Sequence, residues 1–285
     1  MSPLLTAQDY LQFPTVEADF RYTYGGDSQQ FGELTLPRSA PPHPVVVLVH
    51  GGGYRELYDL NPLGSLVASL AEDGFAIWNI EYRRYGNGGE FPRMFLDAAV
   101  ATDHLRQIKD EHSLNLDQVI SMGHSAGGHL ALWLAARQRI ERSSPLFMEK
   151  PVAVQAVLAL APVGDIARLA ASKNSSDALL AVMGGGPAEA PANYANGSPS
   201  ELLPLGKPQT IIVGSEDTDI LDNSRAYVDA AMAAGDSPML TVLPDVGHFE
   251  VVWVQSRAWI EVRRALMRLS EQVATNPNLG YDNSC

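Results

Sequence analysis

Val119-Ile-Ser-Met-Gly-His-Ser-Ala-Gly-Gly-His-Leu130 decides how this chain is read, because an apolar run turns abruptly into Gly123-His124-Ser125-Ala126-Gly127 and then into a helical pattern. Small residues two before and two after a serine let a strand reverse sharply into a helix. That turn, a nucleophile elbow, lifts the hydroxyl out of the sheet at a strained backbone position. The following helix, Ala126 to Arg139, offers Leu130, Leu132, Trp133 and Leu134 for burial, and its N-terminus favours developing negative charge. The same pattern also arises by chance in Gly-rich turns. The flanking sequence must therefore supply the partners of an activated serine.

Working outward, Val45-Val-Val-Leu-Val49 is a continuous apolar run, as expected of a strand buried on both faces of a parallel sheet. Phe20 to Tyr24 and Phe31 to Leu36 alternate on either side of Gly25-Gly26-Asp27 and predict a hairpin. A helix fits Pro62 to Glu72, a strand Phe75 to Ile80, and a helix Pro92 to Lys109. Gln118 to Met122 and Val152 to Leu160 read as strands, as do Thr210 to Val213 and Met239 to Leu243. Helices fit Ile220 to Ala234 and Val251 to Val273. This alternation predicts an α/β fold with a mostly parallel central sheet flanked by helices.

Residues 162–207 break the pattern with Ala-, Ser-, Gly- and Pro-rich sequence and one short helical candidate, Ser176 to Met183. A connection that long predicts a small cap inserted after the sixth strand. Residues 1–19 show no strong period and read as an N-terminal extension; 20–273 form a single domain, and the polar stretch 274–285 is expected to fray.

A net charge of −13, with no Lys/Arg cluster longer than a pair, argues against nucleic acid or anionic membrane as a partner. No stretch approaches the ~18 apolar residues of a membrane span. Cys285 is the only cysteine, so no intrachain disulfide, Cys-based metal site or cysteine nucleophile is available. The N-terminus has neither a basic n-region nor a sustained apolar h-region. A cytoplasmic protein is expected, and a homodimer is compatible with this reading.

Three further features occur where acyl transfer needs them. His50-Gly51-Gly52-Gly53-Tyr54 directly follows a buried strand. Consecutive glycines let backbone N–H groups converge without obstruction, as an oxyanion hole requires. The candidate donors are Gly52 and Gly53, joined by the N–H of Ala126. A phosphate-binding turn is the weaker reading, because neither G-K-[ST] nor a helix-opening G-x-G-x-x-G is present. Gly214-Ser-Glu-Asp-Thr-Asp219 lies between a strand and a helix, and any of its three acids, Glu216, Asp217 or Asp219, is placed to serve. One of Asp217 and Asp219 is expected to cap that helix while the other faces the site. Pro244-Asp-Val-Gly-His-Phe249 places His248 in a loop after the next strand, giving the chain order Ser, acid, His.

The remaining histidines read more plainly. His104 and His112 are expected at the surface of the helix after Pro92, His129 in packing, and His43 in a Pro-rich connector, while His50 and His124 shape their turns. Tyr54, Met183, Phe249 and Trp253 are candidate pocket residues, with ordinary core packing equally open for each.

Together these residues resemble the α/β-hydrolase fold, specifically the HGGG-bearing esterase branch related to hormone-sensitive lipase and to arylformamidases. The resemblance covers roughly residues 20–270. It rests on His50 to Gly53, Gly123 to Gly127, Gly214-x-x-Asp217 and Gly247-His248-Phe249, with Glu81-Tyr82-Arg83 and Phe91-Pro92…Asp97 resembling further segments of that branch. The branch carries its acid three residues after the glycine that ends the strand, which selects Asp217 over Asp219. It implies a serine hydrolase acting on a small to medium ester. Ser125 is the nucleophile, His248 the base and Asp217 the residue that orients it. No metal or cofactor is called for, and the implied partner is a small-molecule acyl substrate. An arylformamidase acting on an amide, or a non-hydrolytic receptor or cyclase on the same scaffold, is the alternative.

Overall fold

The computed structural model describes residues 3–276. Among them, eight strands form one sheet. They are β1 (Phe20–Thr23), β2 (Phe31–Thr35), β3 (His43–Val49), β4 (Ala76–Ile80), β5 (Leu114–His124), β6 (Ala156–Leu160), β7 (Gln209–Gly214) and β8 (Met239–Leu243). The order across the sheet is β1-β2-β4-β3-β5-β6-β7-β8. The hairpin strands β1 and β2 pair antiparallel with each other, and β2 pairs antiparallel with β4. From β4 to β8 every pairing is parallel.

The two faces of β3 show why its sequence is uniformly apolar. Val45, Val47 and Val49 enter one core while Val46 and Leu48 enter the other, the period of two expected for a strand covered on both sides. The first core is closed by α3 (Arg93–Ile108), α4 (Ala126–Ala136) and α8 (Thr218–Ala233). The second is closed by α2 (Gly64–Glu72) and α9 (Ala258–Thr275). Helix α4 is buried at every position, which explains why its sequence is apolar all round rather than amphipathic.

Two expectations need correction, and one stretch without a sequence period proves structured. The final helix begins at Ala258, not Val251; a 3-10 turn at Glu250–Val252 precedes it. The intervening turn is held by Ser256, whose Oγ donates to the Glu250 carbonyl and accepts from the Ala258 N–H. Between β6 and β7 the chain forms α5 (Ile166–Ala170), α6 (Asp177–Met183) and α7 (Pro191–Gly197), where one helix was expected. Asp165 and Ser176 cap the first two through their side chains, and Pro191 opens the third. The N-terminal stretch is also ordered: α1 (Ala7–Tyr10) carries a Thr6/Asp9 capping box, and Tyr10 and Phe13 are buried. The tail expected to fray lies, beyond residue 276, outside the described residues.

At the carboxyl end of the sheet, β5 passes into α4 with a single residue, Ser125, between them. Ser125 sits at φ 56°, ψ −120°, a conformation that persists only when its surroundings enforce it. The glycines make this turn sterically possible. A Cβ on Gly123 would lie 2.1 Å from the Gly127 carbonyl oxygen, and one on Gly127 would lie 2.1 Å from the Val49 carbonyl oxygen. Gly127→Ala is therefore expected to destabilise the protein by at least ~3 kcal/mol, read as a loss of about 6–12 °C in Tm. A melting temperature within experimental error of the parent would show that the elbow is not packed this tightly.

Candidate active site

Strands β3, β5, β7 and β8 run parallel, so the loops after them share one edge of the sheet. Gly53, Tyr54, Ser125, Ala126, Asp217 and His248 line one cleft there, of about 310 Å³. Its opposite wall comes from Leu169, Asn174, Ser176 and Leu179 in the segment between β6 and β7, with Val163, Asp219 and Ile220.

His248 Nδ1 lies 2.5 Å from Asp217 Oδ2. Asp217 occupies the N-cap position of α8 but makes no side-chain cap bond, so its carboxylate is committed to the imidazole. Asp219, in the first turn of α8, is exposed at the cleft. The N–H groups of Gly53 and Ala126 belong to cleft-lining residues. Gly52 stands one residue back, its α-carbon facing Tyr58; a Cβ there would lie 2.3 Å from the Tyr58 Cβ.

Of the four candidate pocket residues, only Tyr54 lines this cleft. Met183, the last residue of α6 in the segment that forms the far wall, is fully buried beside Phe95 and Gly197. Phe249 lies edge-on to the His248 ring and stacks on Tyr10 at 5.3 Å. Trp253 stacks on Phe13 at 4.3 Å. Both aromatics brace the histidine loop from behind, because the N-terminal segment supplies rings for them to pack on.

His124, the residue before the serine, tethers that same loop. Its Nε2 lies 2.8 Å from the His248 carbonyl, so Nε2 carries the proton and donates. Burial, and then the neighbouring His248, push the His124 pKa well below the ordinary histidine value, which keeps this ring neutral. A second tether comes from Glu250, whose carboxylate accepts from Gly247 N–H and from Leu5 N–H. The N-terminal segment thereby joins the histidine loop, a contact the sequence reading missed. The Thr6-Ala-Gln-Asp9 box followed by Tyr10 and Phe13 was the available signal.

The glycine loop is anchored by a buried ionic network. His50 Nε2 lies 3.0 Å from Glu81 Oε1, and Arg84 donates to the same oxygen. Glu81 also accepts from Tyr82 N–H and Leu60 N–H, and the Tyr82 hydroxyl donates to the His50 carbonyl at 2.7 Å. Burial raises the Glu81 pKa, but His50, Arg84 and the Tyr82 N–H together outweigh it and bring the carboxyl down to about 2. Beside this network, Arg83 binds Asp97 in a bidentate pair, Nε and Nη2 each donating to one carboxylate oxygen at 2.7 Å, which gives the Phe91-Pro92…Asp97 segment its structural role. His112, expected at the surface, is buried beyond the end of α3 and meets the Tyr22 hydroxyl at 2.7 Å. His43 is the first residue of β3 rather than part of the connector, and is buried too.

The sequence matches the BD-FAE family model over residues 33–228. The chain belongs to the BD-FAE family, an α/β-hydrolase esterase family. Among characterised sequences it is similar to the probable isoprenylcysteine alpha-carbonyl methylesterase ICMEL1 of Arabidopsis thaliana. The two are 30% identical over 122 residues, 42% of this chain and 25% of that protein. It is also similar to the non-reducing polyketide synthase Preu3 of Preussia isomera, with 27% identity over 46% of this chain and 6% of the synthase. The matching stretch thus spans a quarter or less of either relative. In structure it is similar to esterase B from Lactobacillus rhamnosis, with a TM-score of 0.79 at 22% identity, over 95% of this chain and 91% of that one. That likeness is one of fold, and the fold is the α/β-hydrolase fold.

The family match begins within β2 and ends in α8, so it takes in the elbow, the glycine loop and Asp217 but not His248. The Glu81 network lies wholly inside it. A folded-state pKa near 2 against an ordinary 4.5 means that Glu81 stabilises the fold fully above pH ~4.5, and that this contribution is lost as the pH falls through ~2. Glu81→Gln is expected to cost about 3 kcal/mol at pH 7. The gap from the parent should narrow steadily as urea unfolding is repeated from pH ~4.5 towards 2. A gap that stays constant with pH would mean that the Glu81 charge is not what stabilises the loop.

Proposed function

We propose that the protein is a serine hydrolase that cleaves a small to medium carboxylic ester through an acyl-enzyme. The observation that carries this reading is the 2.5 Å contact between Asp217 and His248 at the cleft that also holds the strained Ser125. A serine hydroxyl is a weak nucleophile at neutral pH, so His248 takes its proton as Oγ attacks the acyl carbonyl. Asp217 accepts from Nδ1–H, leaving Nε2 free to receive that proton, and stabilises the imidazolium that forms. Negative charge then develops on the carbonyl oxygen. The N–H groups of Gly53 and Ala126, with that of Gly52, are the donors assigned to it, each worth about 3–4 kcal/mol in the transition state. Protonated His248 next gives its proton to the departing alkoxide, and a water activated by the same ring releases the acid.

The cleft's size supports a small substrate, since about 310 Å³ lies at the lower end of small-molecule sites. Its apolar wall of Val163, Leu169, Leu179 and Ile220 suits an acyl chain, while Asn174, Ser176 and Asp219 suit a polar or hydrated end. Residues 162–207 serve as the cap that governs access to Ser125. The similarity to a probable methylesterase favours an ester over a formamide. Among the described residues no helix is long and apolar enough to cross a membrane. We assign the enzyme to the cytoplasm, where a chain with one cysteine in 285 residues needs no disulfide.

A fluorophosphonate probe should label Ser125, and Ser125→Ala should abolish both labelling and p-nitrophenyl ester hydrolysis. Asp217→Asn is expected to lower kcat by about 10⁴-fold, whereas Asp219→Asn should stay within about threefold of the parent. Labelling that survives in Ser125→Ala would refute the assignment. Faster turnover of N-formylkynurenine than of the ester panel would move the substrate to the amide class.

A further inference from the structure

We propose that His129 is a positioning residue that locks the glycine loop, the nucleophile helix and the cap segment to one another, and so fixes the oxyanion donors. The proposal rests on the esterase reading above. His129 lies one turn into α4, and its backbone N–H donates to the Ser125 carbonyl at 3.0 Å. Its Nε2 is 2.8 Å from the Gly197 carbonyl at the end of α7, so Nε2 carries the ring proton and donates there. Nδ1 is then an acceptor. The Tyr54 hydroxyl, 3.3 Å away, faces it as the donor. The result is one directed chain, from Tyr54 O–H to Nδ1 and from Nε2–H to the Gly197 carbonyl.

Burial makes this chain consequential. His129 and Tyr54 are 0% and 3% exposed, so water cannot readily replace either partner, and a lost bond leaves a buried polar group unsatisfied. Burial also lowers the His129 pKa to about 4, so the ring keeps the single proton that this arrangement needs at neutral pH. The next turn of α4 repeats the attachment, because Trp133 Nε1–H donates to the Asn196 carbonyl at 2.9 Å.

The glycine loop needs such a hold. Tyr54 has φ 65°, a left-handed conformation that a bulky residue keeps only when its surroundings impose it. On the backbone side it is held by Tyr85, whose N–H donates to the Tyr54 carbonyl at 2.9 Å. On the side-chain side the hydroxyl and ring meet His129, the ring edge-on at 5.8 Å. Gly53, a candidate oxyanion donor, is the immediate neighbour of Tyr54. If Tyr54 relaxes, the Gly53 peptide turns with it, and a preorganised donor becomes a mobile one.

The test compares Tyr54→Phe, His129→Leu, His129→Gln and the Tyr54→Phe/His129→Leu double variant. Each is assayed by p-nitrophenyl acetate kinetics and by its rate of fluorophosphonate inactivation. Tyr54→Phe and His129→Leu should each lower kcat about tenfold, with KM changed by less than about threefold. The double variant should be no worse than His129→Leu alone, because both changes break one chain. His129→Gln, whose amide can donate to Gly197 and accept from Tyr54, should recover most of the loss. Unchanged kcat in Tyr54→Phe, losses that multiply in the double variant, or an effect confined to KM would each overturn the proposal. If His129→Leu does not fold, Tyr54→Phe and His129→Gln decide it, since the first removes a single oxygen and the second restores both bonds. Failure of the parent protein itself to be labelled at Ser125 would instead condemn the esterase reading. Normal labelling of the parent with an unaltered rate in Tyr54→Phe would condemn only the role of His129.

Discussion

Backbone packs directly on backbone where the elbow meets the end of β3, and the other features of the site depend on that contact. Gly127 leaves no room for a Cβ against the carbonyls of Val49 and His50, and Gly51 leaves none against the His124 carbonyl, 2.7 Å from where its Cβ would stand. The glycine loop and the serine therefore cannot shift independently. The Ser125 N–H is tied in turn to the Leu160 carbonyl at 2.9 Å, so three adjacent strands determine where one hydroxyl points. The strain recorded in the Ser125 φ of 56° is held in place by this crowding.

The loops around that fixed point are anchored by polar contacts over long sequence distances. His50 is held through Glu81 and Arg84, which are themselves buried, so removing either one leaves an uncompensated buried charge and the network is costly to break. The histidine loop is fixed by His124 from the elbow and by Glu250, which gathers Gly247 and Leu5. Such bonds specify a position more than they add stability, because each has one donor and one acceptor at a set distance.

Local chemistry explains what was legible in the sequence. The parallel strands were read from apolar runs and the hairpin from alternation, and the elbow, glycine loop, Asp217 and His248 from short motifs whose residues lie next to each other in the chain. The choice between Asp217 and Asp219 came from resemblance rather than spacing, and the structure brings Asp217 to His248. What stayed open has another cause. Pocket and core packing were equally open for Phe249 and Trp253, because which way an aromatic faces depends on distant partners. Here those partners were Tyr10 and Phe13, in a stretch that shows no period. The missed helices between β6 and β7 are five and seven residues long, short enough for periodicity to be weak, although Asp165 as cap of the first and Pro191 at the start of the second were present in the sequence.

The histidines near the serine also divide by charge, and the division follows from burial. His124 and His129 flank Ser125 in the chain and both are fully desolvated, so both are held neutral with one proton committed to a carbonyl. His248 is the one that reaches solvent, with its side chain 23% exposed and a carboxylate on Nδ1. A second imidazolium beside it would compete for Asp217 and repel the charge that His248 gains in the proposed cycle. Keeping these imidazoles buried and neutral avoids that competition, while His129 bonds through both ring nitrogens and His124 through Nε2. In the proposed cycle this arrangement gives proton transfer to His248 alone, while His124 and His129 each bond a backbone carbonyl of a neighbouring segment.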